Sequence, residues 1–123
     1  MRVCFEFCGS AFLTYCYLVH TDSFWKFFAL FFAISALAFR FSGAHFNQAI
    51  TLAMTFKGSL TWRECLGYSL AQTLGCILSG FLCFLIDKDY AVVRFSSANC
   101  LESIAVAVSE CFFMALLVLV YAT

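Results

Sequence analysis

The chain of 123 residues is 64% apolar and only 11% charged, with a mean hydropathy of +0.96. Soluble domains average about 45–50% apolar and about 25% charged residues, and a chain this short has too little interior to hide the excess. Seven basic side chains balance seven acidic ones, which excludes both an electrostatic footprint for nucleic acid and intrinsic disorder. The composition predicts a membrane protein whose partner is the lipid bilayer, and the long apolar runs that follow read it as all-α.

A spanning helix takes about 20 mostly apolar residues, and the sequence offers four such runs in order. The first, 2–20, is interrupted by Glu6 and ends in the polar break 21–23. That glutamate, and the lack of a small-x-small site before the break, argue against a secretory leader. The second run is 24–41. The third, 62–86, opens with Thr61 and Glu64 at capping-box spacing and closes at Asp87, Lys88 and Asp89. Along it Gly67, Ala71, Gly75 and Ser79 recur every four residues, a small ridge of the kind that lets membrane helices approach closely. The fourth run is 100–122. Trp25 and Trp62, near span ends, fit an interfacial aromatic belt.

The segment 42–57, between the second and third runs, carries Gly43, His45, Asn47 and Gln48 ahead of an apolar stretch too short to span. A helix over about 47–57 has a length of about 15 Å, half of a hydrocarbon core about 30 Å thick. Asn47 suits its N-cap. The pattern predicts a re-entrant half-helix whose N-terminus points to the midplane, where irregular backbone is tolerated only against protein or water. An amphipathic helix lying at the interface is the alternative.

Seven of the eight cysteines sit inside apolar runs, Cys100 standing at the edge of the fourth beside a predicted loop, and none forms a C-x-x-C pair. A thiol in such a run acts as a small hydrophobe. With no metal-ligand cluster, Ser/His/Asp set or phosphate loop in the sequence, neither an enzyme nor a cofactor is expected. With the N-terminus inside, Arg2, Arg40, Lys57 and Arg63 face the cytoplasm against Lys26, Lys88 and Arg94 outside, a slim positive-inside margin.

Three stretches carry a family resemblance. Ser42-Gly43-Ala44-His45-Phe46-Asn47-Gln48-Ala49-Ile50-Thr51-Leu52-Ala53 resembles the first signature loop of the aquaporins, the major intrinsic protein family. The family pattern is S-G-A-H-x-N-P-A-V-T-x-A; here Gln48 replaces proline and Ile50 replaces valine. Glu6-Phe7-Cys8-Gly9-Ser10 is similar to the E-x-x-G-[TS] of the family's first helix. Tyr68-Ser69-Leu70-Ala71-Gln72-Thr73-Leu74-Gly75 is similar to the Y-x-x-A-Q-x-x-G of its third. The resemblance implies one aquaporin-like domain over 1–123, a half bundle of four transmembrane helices plus one re-entrant half-helix. That is the first of the family's two inverted repeats and the opening helix of the second, a truncated form of a six-span fold.

The resemblance also implies roles. Backbone carbonyls of Gly43, Ala44 and His45 supply acceptors along a polar track, and the Asn47 amide donates at mid-membrane, with Ala49 in the first turn behind it. Glu6 buttresses the loop around His45, with Gln72 contributing from the third helix. Glu110 matches the glutamate of the second repeat, without the loop it should hold. Phe27 precedes Asn47 by the spacing at which the family places an aromatic in its outer selectivity filter. At Gln48 a donor returns and φ is freed, so the start of the half-helix is expected to be less fixed than with proline. The function implied is a channel for water or small neutral solutes, its pore lining half present here and its copies forming the family's tetramer. A non-conducting membrane subunit, or a degenerate family member, is the second reading.

Overall fold

The computed structural model describes residues 1–19 and 23–86, together with Val108, Ala115 and Leu119, which are helical. The rest of the run expected over 100–122, Glu110 included, lies outside the described residues. Among the described residues the chain is helical, without strands: α1 (Arg2–Val19), α2 (Phe24–Ser42), α3 (Gln48–Phe56) and α4 (Trp62–Ile86). Two of these, α2 over Trp25–Ser42 and α4, are long and apolar enough to cross a membrane.

Side-chain pairs fix the directions. Phe5 stacks on Phe41 with ring centroids 4.5 Å apart, and Tyr17 meets Phe27 edge-on at 5.9 Å, so α1 and α2 run antiparallel. Against α4 the pairs Arg2–Glu64, Val3–Gly67, Phe7–Gly75 and Ala11–Ser79 advance together along both helices, so α1 and α4 run parallel. Lipid tails are as apolar as leucine, so such helices associate through close contact and hydrogen bonds rather than hydrophobic burial. Gly75 supplies the close contact: a Cβ there would stand 2.5 Å from the Phe7 carbonyl oxygen and 3.0 Å from the Ala11 nitrogen. The Ser79 hydroxyl donates to the Ala11 carbonyl. Facing this ridge, α1 buries Glu6, Gly9, Ser10, Leu13 and Cys16, which recur at the spacing of one helical face. Phe28, Phe32 and Leu37 of α2 and Leu70, Leu74, Ile77 and Phe81 of α4 are exposed. Lipid can solvate such an apolar exterior at no hydrophobic cost.

Gly43 ends α2 with φ 89° and ψ 0°, its N–H donating to the Phe39 carbonyl at 3.1 Å. This left-handed C-cap is open to glycine without a Cβ penalty, and it turns the chain back into the bundle. Gln48, opening α3, reaches Thr73 near the middle of α4, while Phe56 at the other end of α3 packs edge-on against Trp62 at 5.5 Å. The short helix therefore runs antiparallel to α4, from its middle back to its start. Nine residues cover about 14 Å. At the base, Thr61 and Glu64 form a reciprocal cap: Glu64 N–H donates to the Thr61 hydroxyl at 3.3 Å, and Thr61 N–H to the Glu64 carboxylate at 3.0 Å.

Candidate functional site

The loop joining α2 to α3 has an unusual backbone. After Gly43, Ala44 (φ 50°) and Phe46 (φ 45°) also lie in the left-handed region, which costs an L-residue about 1–2 kcal/mol. Glu6, 0% exposed, holds it there. Its Oε1 accepts the His45 N–H at 3.1 Å, and its Oε2 accepts the Phe46 N–H at 2.8 Å and Gln72 Nε2–H at 2.9 Å. A carboxylate buried without such donors would be very costly, whereas with them its bonds are among the stronger kind. Ser42 Oγ accepts the Ala44 N–H at 3.2 Å, and the Tyr68 hydroxyl donates to the Ser42 carbonyl at 3.0 Å.

A second set of bonds fixes α3 against the loop. Asn47 Oδ1 accepts the N–H groups of Ala49 at 2.8 Å and Ile50 at 3.4 Å. That capping turns the amide N–H₂ away from the helix. Thr51, 0% exposed, lies within 3.2 Å of His45 Nδ1 and accepts from Gln72 Nε2 at 3.0 Å. The His45 ring meets Tyr68 edge-on at 5.4 Å.

Successive loop residues line two clefts. Gly43 and His45 face one of about 240 Å³, shared with Ser42, Tyr68, Arg2 and Arg40. Phe46, Asn47 and Gln48 face another of about 480 Å³, shared with Gln72, Thr73 and Cys76. The N-terminal end of α3, carrying about half a positive charge, opens beside the second. Among the described residues no group of three or more His, Cys, Asp or Glu side chains gathers that could hold a metal ion.

Of the residues singled out in the sequence, Glu6, Gly43, His45, Asn47, Gln48 and Gln72 meet in this one region. Ala44 is buried and lines neither cleft, while Ala49 is exposed on the first turn of α3. Phe27 lies toward the other end of α2, about 22 Å along the helix from Ser42, with its ring against Tyr17 and, at 6.5 Å, Phe31. Glu110 lies outside the described residues. Beside the freed φ expected at Gln48, the structure shows a side-chain contact. Its Nε2 donates to Thr73 Oγ1 at 2.7 Å, a tie to α4 that proline has no group to make. Sequence reasoning gave no role to Thr51, Tyr68 or Ser42. Helical spacing held a clue to two of them, since Thr51 lies one turn beyond Asn47 and Tyr68 one turn before Gln72.

The family model for the major intrinsic protein matches residues 23–123. Aquaporin-4 of Milnesium tardigradum is 38% identical over 77 residues, 63% of this chain and 22% of that protein. Aquaporin NIP1-1 of Zea mays is 53% identical over 38 residues, 31% of this chain and 14% of its own length. The glycerol uptake facilitator protein of Streptococcus pneumoniae is 34% identical over 64 residues, 52% of this chain and 27% of that one. The matched stretches thus span about a quarter or less of these relatives, and no solved structure matches the chain. With the family model covering most of its length, the chain is an integral membrane protein belonging to the major intrinsic protein family, a family of channels rather than enzymes.

Proposed function

We propose that this chain forms part of the wall of a transmembrane channel that passes water or small neutral solutes. One observation carries the reading: a buried carboxylate clamps a left-handed loop so that Asn47 caps a short helix starting against the middle of α4. On this reading α3 is re-entrant within a bundle of four spans, and Asn47 stands near the midplane. A neutral solute exchanges hydrogen bonds with the loop and with the Asn47 amide as it passes. A cation meets the positive end of α3 and loses its hydration with no compensating charge. Phe27, its ring set against Tyr17, serves as an aromatic wall beyond Asn47. The relatives named as aquaporins and as a glycerol facilitator keep both water and glycerol as candidate solutes, and copies of the chain assemble as in the family's tetramer.

Osmotic shrinkage of liposomes holding the full chain tests this, with an impermeant osmolyte for water and glycerol for small solutes. Permeability above lipid background, abolished by Asn47→Leu, is the result expected where copies of the chain complete between them the lining that one chain only half supplies. Background permeability from chain that inserts and folds would assign it to the non-conducting reading instead.

A further inference from the structure

We infer that Phe46 is the size-selecting wall of the larger cleft, and that Gly9 of α1 is the seat that holds its ring. The loop pattern S-G-A-H-x-N leaves this position open, so the resemblance assigns it no role. The structure does, because α1 grips the residue at two points. The Glu6 carboxylate accepts the Phe46 N–H at 2.8 Å. About one turn further along the same buried face, Gly9 meets the ring. A Cβ built there would overlap the ring atoms Cε1 and Cζ and stand 2.6 Å from Cδ1. The ring thus occupies the volume that any other residue at position 9 would fill with its own side chain.

A wall selects by size only if it does not yield. The ring rests on the backbone of α1 rather than on a flexible side chain. That stretch of α1 is itself pinned: Phe7 and Ala11, on either side of Gly9, are the residues whose backbone lies against Gly75 of α4. Phe46 is further fixed by its left-handed backbone (φ 45°) and its bond to Glu6. Packing this close passes a displacement on rather than absorbing it. Phe46 is half-buried and lines the larger cleft beside Asn47, with Thr73, Cys76 and Ile77 of α4 lining it as well. A phenyl ring brings bulk without a polar group, so what it adds to this wall is discrimination by width.

The consequence rests on the channel reading above. A solute that reaches Asn47 shares the cleft with Phe46, and removing the ring widens the way most for the bulkiest solute. A single methylene in an apolar pocket is ordinarily worth about 10–200-fold in discrimination. Phe46→Ala removes far more than that, so the permeability of a four-carbon polyol relative to water should rise by at least about tenfold. Gly9→Ala acts in the opposite sense. Its methyl displaces the ring, and with α1 pinned the room to move is on the cleft side, so the same ratio should fall. Gly9 is in this sense a positioning residue, acting through Phe46 without touching the solute.

Stopped-flow osmotic measurements on liposomes holding the full chain, with erythritol and water compared in the same vesicles, read this ratio. Phe46→Ala should raise it about tenfold or more, Phe46→Leu should raise it by less, and Gly9→Ala should lower it. In the Phe46→Ala background Gly9→Ala should leave the ratio unchanged, since no ring remains to be displaced. Unfolding midpoints of the same proteins in a denaturing detergent give a second reading that needs no conduction. Gly9→Ala should lower the midpoint beside phenylalanine and leave it in place beside alanine. An equal fall in both backgrounds, or conduction whose ratio ignores both changes at Phe46, would overturn the assignment. Should the alanine variant not fold, Phe46→Leu carries both comparisons. A folded chain that conducts nothing removes the channel reading, and size selection with it, while the midpoints still decide whether Gly9 seats the ring.

Discussion

Ala44 and Phe46 hold backbone conformations that together cost about 2–4 kcal/mol. The two amide bonds to the Glu6 carboxylate, each worth about 1.5–3 kcal/mol when the acceptor is charged, are enough to offset that strain. Glu6→Gln keeps the shape but turns one acceptor oxygen into a donor facing an N–H. We expect it to lower stability by about 2–4 kcal/mol, read as an earlier unfolding midpoint in micelles titrated with a denaturing detergent. A midpoint equal to that of the original chain would mean the loop holds itself. Glu6 was legible in the sequence because an ionisable group inside an apolar run is expensive and therefore placed for a reason. Thr51 was not. A threonine in a short apolar helix can satisfy itself on the carbonyl one turn back, and nothing in the one-dimensional pattern says whether it also serves a ring and an amide on other segments.

Helix packing depends on single small residues. Gly75 of α4 lies against the α1 backbone, so even a methyl group must push the helices apart. Gly75→Val should destabilise by about 1–3 kcal/mol. Gly80, in the same helix with open space where its Cβ would be, should tolerate alanine and gain up to about 1 kcal/mol from better helix propensity. Equal losses from both would refute the close approach of α1 and α4. The ridge itself was visible as a four-residue spacing. Its partner and the parallel direction were not, because in lipid the outward faces are as apolar as the inward ones and amphipathicity no longer marks which side packs. The start of α3 provides a related test. Gln48 and Thr73 should show a coupling of about 1 kcal/mol in a double-mutant cycle of Gln48→Ala and Thr73→Val. In a Gln48→Pro background Thr73→Val should have no such effect, since proline has no side-chain donor. Persistence of the full Thr73 effect beside proline would show that Thr73 acts through its own bond to the Ser69 carbonyl.

At the scale of the whole molecule, the fold collects charge at one end. Arg2 and Arg40 line the same cleft, Arg2 lies 3.5 Å from Glu64 next to Arg63, and Lys57 follows α3 into the turn whose Ser59 and Leu60 also line that cleft. Lys26, in the first turn of α2, sits at the other end of the bundle. Among the described residues four basic side chains stand at that end and Lys26 at the other, while Lys88 and Arg94, counted on the outer side in the sequence, lie outside the described residues. Because the positive-inside preference is set by lysine and arginine near the span ends, the cleft with Arg2 and Arg40 should face the cytoplasm. Lys26 should then face out, and α3 should enter the membrane from the cytoplasmic side. Lysine chemistry reads this directly. A membrane-impermeant, amine-reactive label applied to intact cells should modify Lys26 and spare Lys57, and permeabilisation should expose Lys57. Labelling of Lys57 on intact cells, with Lys26 protected until permeabilisation, would invert the topology. The smaller cleft and His45 would then meet the solute from outside, and Asn47 would be reached only after them.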